Sequence, residues 1–341
     1  MKIIFMRILK TKNILYVTFF LVVFSILFFL FLTLPPFGIT KDIQFGVSFS
    51  KVFAEKMGLN WRDAYLAILD DLRPKSLRLP VYWNDVERES GAYNFDEYDF
   101  MINEAENRNI NLILVVGRKL PRWPECHEPL WTENKETEIK NRELLKFIEK
   151  TVLRYRDYKN IYGWQVENEP FLPFGECPSA DADFLDKEIN LVHSLDGARP
   201  VITSDSGELG LWFRSAKRGD IFGTTMYRIV WHKYFGYIKY PLPPKFFWLK
   251  ANFVRLFYKD KPILVSELQA EPWSPRMLNE TSFEEQAISM DLNKFYDNIN
   301  YARQVGFSPV YLWGAEWWYL LKVENDRPEF WEAAKNILNN Q

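Results

Sequence analysis

The chain has 341 residues, 48% of them hydrophobic and 26% charged, with 43 Lys+Arg against 45 Asp+Glu. That balance excludes a disordered chain and gives no basic field for nucleic acid. The 2 cysteines exclude a disulfide-framed miniprotein, and with no CxxC or HExxH spacing neither a metal site nor a cofactor is expected.

The first element is an uncharged apolar run at 14–34. About 20 such residues span a hydrocarbon core of ~30 Å. Lys2, Arg7, Lys10 and Lys12 precede it, so the positive-inside rule assigns 1–13 to a cytoplasmic basic tail and the rest of the chain to the far side. A cleaved signal peptide has a shorter apolar region and a small-residue cleavage site, whereas this run ends in Thr33-Leu34-Pro35-Pro36. The expectation is a single-pass, uncleaved signal anchor, with residues 41–341 forming one extracytoplasmic domain.

Beyond it, strands and helices alternate. Strand runs are expected at Phe45–Phe49, Ser76–Pro80, Asn111–Gly117, Ile161–Val166, Pro200–Ser204, Ile221–Met226, Ile263–Ser266 and Val310–Trp313. Several are continuous apolar segments of the buried parallel type, such as Asn-Leu-Ile-Leu-Val-Val-Gly. Helical stretches are expected at Trp61–Leu72, Asp96–Arg108, Glu138–Tyr155, Asp181–Leu195, Pro244–Tyr258, Phe283–Val305 and Phe330–Leu338. Eight strand runs interleaved with helices predict an α/β fold, a (β/α)8 barrel. The competing fold, a doubly wound open sheet, usually carries a glycine-rich phosphate turn, and no GxGxxG or GxxxxGK[ST] is present.

Barrel chemistry sits where strands end. The fourth run leads into Glu167-Asn168-Glu169-Pro170, and the seventh into Ser266-Glu267-Leu268. Two carboxyls facing across one mouth can cleave a glycosidic bond, one protonating the leaving oxygen while the other attacks the anomeric carbon. The segments around Glu169 and Glu267 resemble the strand-four and strand-seven signatures of the clan A retaining glycoside hydrolases. These are the cellulase- and mannanase-like and the β-galactosidase- and β-xylosidase-like families. The stretch Ser76 to Asp99 also resembles that clan's strand-two segment.

The resemblance implies that Glu169 is the acid/base and Glu267 the nucleophile. It implies that Asn168 contacts the sugar 2-hydroxyl, and that Arg78 and Tyr227 hold the nucleophile. Trp313 would floor the site of the reacting sugar. After strand three the sequence departs from the pattern: Gly117-Arg118-Lys119-Leu120-Pro121 stands where cellulase-like members often carry a histidine pair, leaving His127 as the nearby histidine. His127 is carried as a candidate sugar contact, and Trp317, in the Trp317-Trp318 cluster after strand eight, as another.

The aromatic fraction, 17%, suits pyranose stacking. The loop Arg228 to Pro244 carries Trp231, Tyr234, Phe235, Tyr237 and Tyr240, which either meet substrate, cover the barrel or touch a bilayer interface. Glu271 and Glu316 read as solvated loop carboxylates. Cys126 and Cys177 follow strands three and four and could pair outside the cytoplasm. The expected partners are a β-linked carbohydrate and, through the apolar run, a membrane. The expected function is β-glycoside hydrolysis by double displacement. A transglycosylase remodelling envelope polysaccharide and a non-catalytic glycan-binding barrel remain as alternatives.

Overall fold

The computed structural model describes residues 42–178 and 180–340, together with 16–23, 25–26 and 30. Most of the apolar run at 14–34 lies outside the described residues; the described part is helical. Among the described residues, no helix is long and apolar enough to cross a membrane.

The strands are β1 (Phe45–Ser48), β2 (Ser76–Pro80), β3 (Asn111–Val116), β4 (Ile161–Val166), β5 (Val201–Asp205), β6 (Ile221–Met226), β7 (Ile229–His232), β8 (Gly236–Lys239), β9 (Ile263–Gln269) and β10 (Val310–Trp313). Eight of them close into a parallel barrel in the order β1-β10-β9-β6-β5-β4-β3-β2. β7 and β8 form a separate antiparallel hairpin, inside the segment read from sequence as an aromatic loop. Its base is held by Gln269, whose Oε1 accepts the Arg228 and Ile229 N–H groups at 2.8 and 3.0 Å. Tyr234 and Phe235 at its tip are exposed.

The barrel strands are buried on both faces, which is why they read as unbroken apolar runs. Outward residues such as Leu112, Leu114, Val116 and Trp164 pack under the helices, whereas Ile113, Ile202, Leu264 and Tyr311 form a separate cluster. The helices bury one stripe each. In Thr137–Tyr155 the buried positions are Leu144, Phe147, Ile148, Thr151, Val152 and Tyr155, a spacing of three and four. The expected helix Phe283–Val305 is two helices, Phe283–Ser289 and Leu292–Val305, because Met290 is extended and Asp291 caps the second by accepting the Lys294 N–H. A further helix, Ala315–Glu324, follows β10 directly.

One irregularity bears on the site. β9 carries an extra residue at Ser266 against both neighbours: Thr224 pairs with Val265 but Thr225 with Glu267, and Val310 pairs with Val265 but Leu312 with Leu268. Strict alternation from Leu264, in the inner cluster, would point Leu268 inward and Glu267 outward. Instead Leu268 joins the helix-facing core and Glu267 meets Arg78 inside the barrel mouth. A bulge re-aims a side chain in this way. The strand also continues to Gln269, so Glu267 lies within β9 rather than just past its end.

Candidate active site

The site begins at Arg78, a fully buried guanidinium on β2. Arginine is seldom buried without partners, and three oxygens receive its hydrogens. Nε donates to Gln165 Oε1 at 2.7 Å, one terminal nitrogen to Glu267 Oε1 at 2.9 Å and the other to Asn168 Oδ1 at 2.9 Å. Its planar fork thereby fixes groups from β4, from the turn after β4 and from β9 in one plane. The second Glu267 oxygen accepts the Tyr227 hydroxyl at 2.7 Å.

Glu169 stands in a turn held under backbone strain. Glu167 and Glu169 both have positive φ, 58° and 44°. Such a conformation costs a non-glycine residue about 1 kcal/mol or more and persists only where surrounding bonds impose it. Here the Asn168 N–H donates to Lys119 O at 2.7 Å and the Glu169 N–H to Ser204 Oγ at 3.0 Å. The Glu167 carboxylate accepts the Arg118 and Lys119 N–H groups at 2.9 and 2.6 Å, stitching this turn to the one after β3. Gly117, at φ 138°, makes room for it; a Cβ there would lie 2.7 Å from the Glu167 carboxyl.

The Glu169 side chain accepts the Thr225 hydroxyl at 2.8 Å, and Thr225 pairs in register with Glu267. Burial, and next the negative charge of Glu267, hold the Glu169 carboxyl well above the ordinary glutamate range, against the pull of Lys119. One carboxyl thus holds its proton more tightly than an ordinary glutamate, beside another clasped by a guanidinium and a phenol. That is the division of labour an acid/base and a nucleophile require.

The remaining candidates are Trp313, His127 and Trp317, all buried. Trp313 lies under the Arg122 guanidinium, 3.9 Å from its ring centre, and bonds Glu271. His127 is buried against the Tyr82 ring, with Nε2 3.1 Å from Arg122 O. Burial pushes its pKa down to about 4, so it is neutral and braces the turn after β3. Trp317 is buried beside Phe330 and donates to Gln286 at 2.9 Å.

Sequence reasoning missed the network around Trp313. Arg122, also stacked 3.6 Å from the Phe53 ring, bonds both Glu271 and Glu316. Those two glutamates are buried rather than solvated, because their counter-ion arrives from a distant loop. Burial raises the Glu271 carboxyl to about 7 despite Arg122. Replacing Arg122 with alanine is expected to destabilise the fold by about 3–5 kcal/mol, the cost of stranding buried charge. Urea unfolding should show it, with part of the loss recovered when Glu271 and Glu316 are also changed to glutamine. An unchanged midpoint would contradict the network.

Cys126 and Cys177 are bonded, with their Cα atoms 4.9 Å apart, tying the loop after β3 to the loop after β4. From Tyr227, which bonds Glu267, runs a chain of rings: Tyr227 against Trp273 at 5.0 Å, Trp273 against Phe174 at 5.8 Å, and Phe174 against Trp123 at 6.1 Å. Among the described residues, no group of acids, cysteines and histidines could hold a metal ion.

A closed parallel barrel with two glutamates at its mouth, one raised in pKa and one clasped by arginine and tyrosine, is the arrangement of the clan A glycoside hydrolases, which this chain resembles. Residues 80–182 match the model of Glycosyl hydrolase family 10, a span that includes Asn168 and Glu169 but not Glu267. No curated protein matches the chain in sequence. Solved structures similar in fold include a β-galactosidase from Rahnella sp. R3, at 13% identity and TM-score 0.58, covering 80% of this chain and 50% of that one. A β-galactosidase from Bacillus circulans sp. alkalophilus follows at 14% and 0.58, covering 81% and 51%. An exo-β-1,4-mannosidase from Opitutaceae bacterium strain TAV5 is similar at 12% and 0.57, covering 80% and 51%. At such identities the likeness is one of fold, and this chain spans about half the length of each.

Proposed function

We propose that this chain is a membrane-anchored retaining β-glycoside hydrolase that cleaves a β-linked oligo- or polysaccharide by double displacement. The observation that carries the reading is the asymmetric pair at the mouth. Glu267 receives Arg78 and Tyr227 and is poised to attack; Glu169 keeps its proton and is poised to give it up.

In the first step Glu267 attacks the anomeric carbon while Glu169 protonates the departing oxygen. In the second, Glu169, now ionised, takes a proton from water, whose oxygen displaces Glu267. Two inversions leave the configuration unchanged. The Arg78 guanidinium holds Glu267 in place for attack, and its bond to Asn168 holds that amide toward the same sugar. The apolar run at 14–34 and the basic residues before it support anchoring, with the barrel outside the cytoplasm.

The test is a panel of aryl β-glycosides followed by proton NMR of the first product formed. The β anomer is expected first, with mutarotation later. An initial α anomer would mean a water-mediated single displacement and would overturn the mechanism. Glycosyl transfer outrunning hydrolysis at high acceptor concentration would make the protein a transglycosylase. Anchoring predicts that the full-length chain stays with membranes through alkaline carbonate extraction, and release into the supernatant would refute it.

A further inference from the structure

The mechanism above uses two carboxyls, yet a third is built into the same mouth. Glu125 lies in the turn after β3, in a left-handed conformation at φ 70°. Its N–H donates to Arg122 O at 2.7 Å and its carbonyl accepts the Leu120 N–H at 2.8 Å, closing the turn on both sides. The next residue, Cys126, is bonded to Cys177. The loop after β4 then presses on Glu125 from above. The Glu176 N–H reaches Pro124 O at 2.9 Å, and Gly175, at φ 84°, packs so closely that a Cβ there would lie 2.5 Å from the Cβ of Glu125.

All this holds a carboxyl that is 7% exposed. Asn168 bonds it, yet its Oε2 is buried with no hydrogen-bond partner. An orphaned buried oxygen costs about 1–3 kcal/mol, and the backbone strain adds to that. No other described group satisfies this oxygen. It belongs to the same electrostatic unit as the reacting pair: Glu169 feels the charge of Glu125, and Glu125 that of Glu267. Burial first, then Glu267, lifts the Glu125 carboxyl to about 8, so near neutrality it carries a proton and can both give and accept a hydrogen bond.

We propose that Glu125 is a substrate-binding residue, its free oxygen meeting a hydroxyl or amino substituent of the reacting sugar on the Asn168 side, so that the site accepts neutral and amino sugars and rejects uronic acids. A hydroxyl completes the missing hydrogen bond. An ammonium group does so more strongly, by drawing the carboxyl into its charged form. A sugar carboxylate would face three acids at once. The inference rests on the glycosidase reading for the identity of the ligand, and on Glu125 itself for its selectivity.

The experiment compares the full-length protein with Glu125→Gln and Glu125→Ala on 4-nitrophenyl β-glycosides of neutral hexoses, the matching 2-amino-2-deoxy sugars and glucuronic acid. Glutamine keeps the shape and one donor but cannot ionise. It should cut the preference for amino over neutral sugars about tenfold, lift the exclusion of the glucuronide and leave the melting temperature close to that of the unaltered protein. Alanine should raise KM for neutral sugars about tenfold with a smaller change in kcat; should it fail to fold, the glutamine variant decides alone. Unchanged ratios and KM in a folded Glu125→Gln protein would make Glu125 an internal acid, overturning this proposal while the glycosidase reading stands. If the unaltered protein turns over none of these glycosides, that reading fails. Saturation-transfer NMR of the same compounds against the protein and Glu125→Gln then decides on binding alone, equal transfer counting against Glu125.

Discussion

Glu267→Gln is expected to lower kcat by roughly 10⁴-fold or more, since an amide cannot form the covalent sugar adduct and a residue acting as part of a unit takes the unit with it. Its geometry should survive, because an amide oxygen can still accept from Arg78 or Tyr227. The physical cost falls on Arg78. Its other two partners, Gln165 and Asn168, are neutral, so the substitution leaves a fully buried guanidinium without its carboxylate. A modest loss of stability should therefore accompany the loss of turnover. Steady-state kinetics on an activated aryl glycoside, with the melting temperature as control, separate the two. A useful companion is Glu267→Ala with added azide. Azide filling the vacated space would attack from that side and yield the α-glycosyl azide. Turnover of Glu267→Gln at the normal rate would end the proposed mechanism.

Glu169→Gln should be nearly as damaging, by about 10²–10⁴-fold, but only where the leaving group needs a proton. Dinitrophenolate departs unaided, so the first step with that substrate should be almost unaffected. The variant also changes the pH profile in a direction the structure sets. Burial, then Glu267, raise the Glu169 pKa, so the acid form persists to higher pH than in an ordinary glutamate and is lost as pH rises through the raised pKa. The unaltered protein should lose activity along an alkaline limb that Glu169→Gln lacks. The same shift acts on stability. The folded chain holds this proton more tightly than the unfolded chain, so stability falls with rising pH between the two pKa values, and the variant should fall less. An alkaline limb identical in both proteins would remove Glu169 from the acid's role.

The barrel was readable because closed parallel sheets bury both faces of every strand, and Leu112 to Val116 or Ile221 to Met226 cannot easily be mistaken for anything else. Glu169 and Glu267 were readable for a related reason: charge directly beside an apolar run marks a strand's exit. Arg78, Asn168 and Tyr227 came with the resemblance, and the fold brings all three to Glu267 or its immediate neighbours. The turn after β3 was not readable. Arg122 and Glu125 adopt positive φ without being glycine and follow no period; their side-chain partners lie on elements far away in sequence, so nothing local distinguishes them from surface residues. The same blindness made Glu271 and Glu316 look solvated. Nor does any residue type announce the extra position at Ser266, although the aim of Glu267 depends on it.

Barrel closure has a consequence for how this activity can arise at all. Arg78 comes from β2, Glu169 from beyond β4 and Glu267 from β9, and the sheet joins β1 to both β2 and β10. No contiguous half of the polypeptide contains this trio, and an unclosed ring would leave the guanidinium facing water. Catalysis should therefore appear only with the last strand docked, making a turnover assay a stringent reporter of complete folding: truncated or split chains should regain it by reassembly or show none.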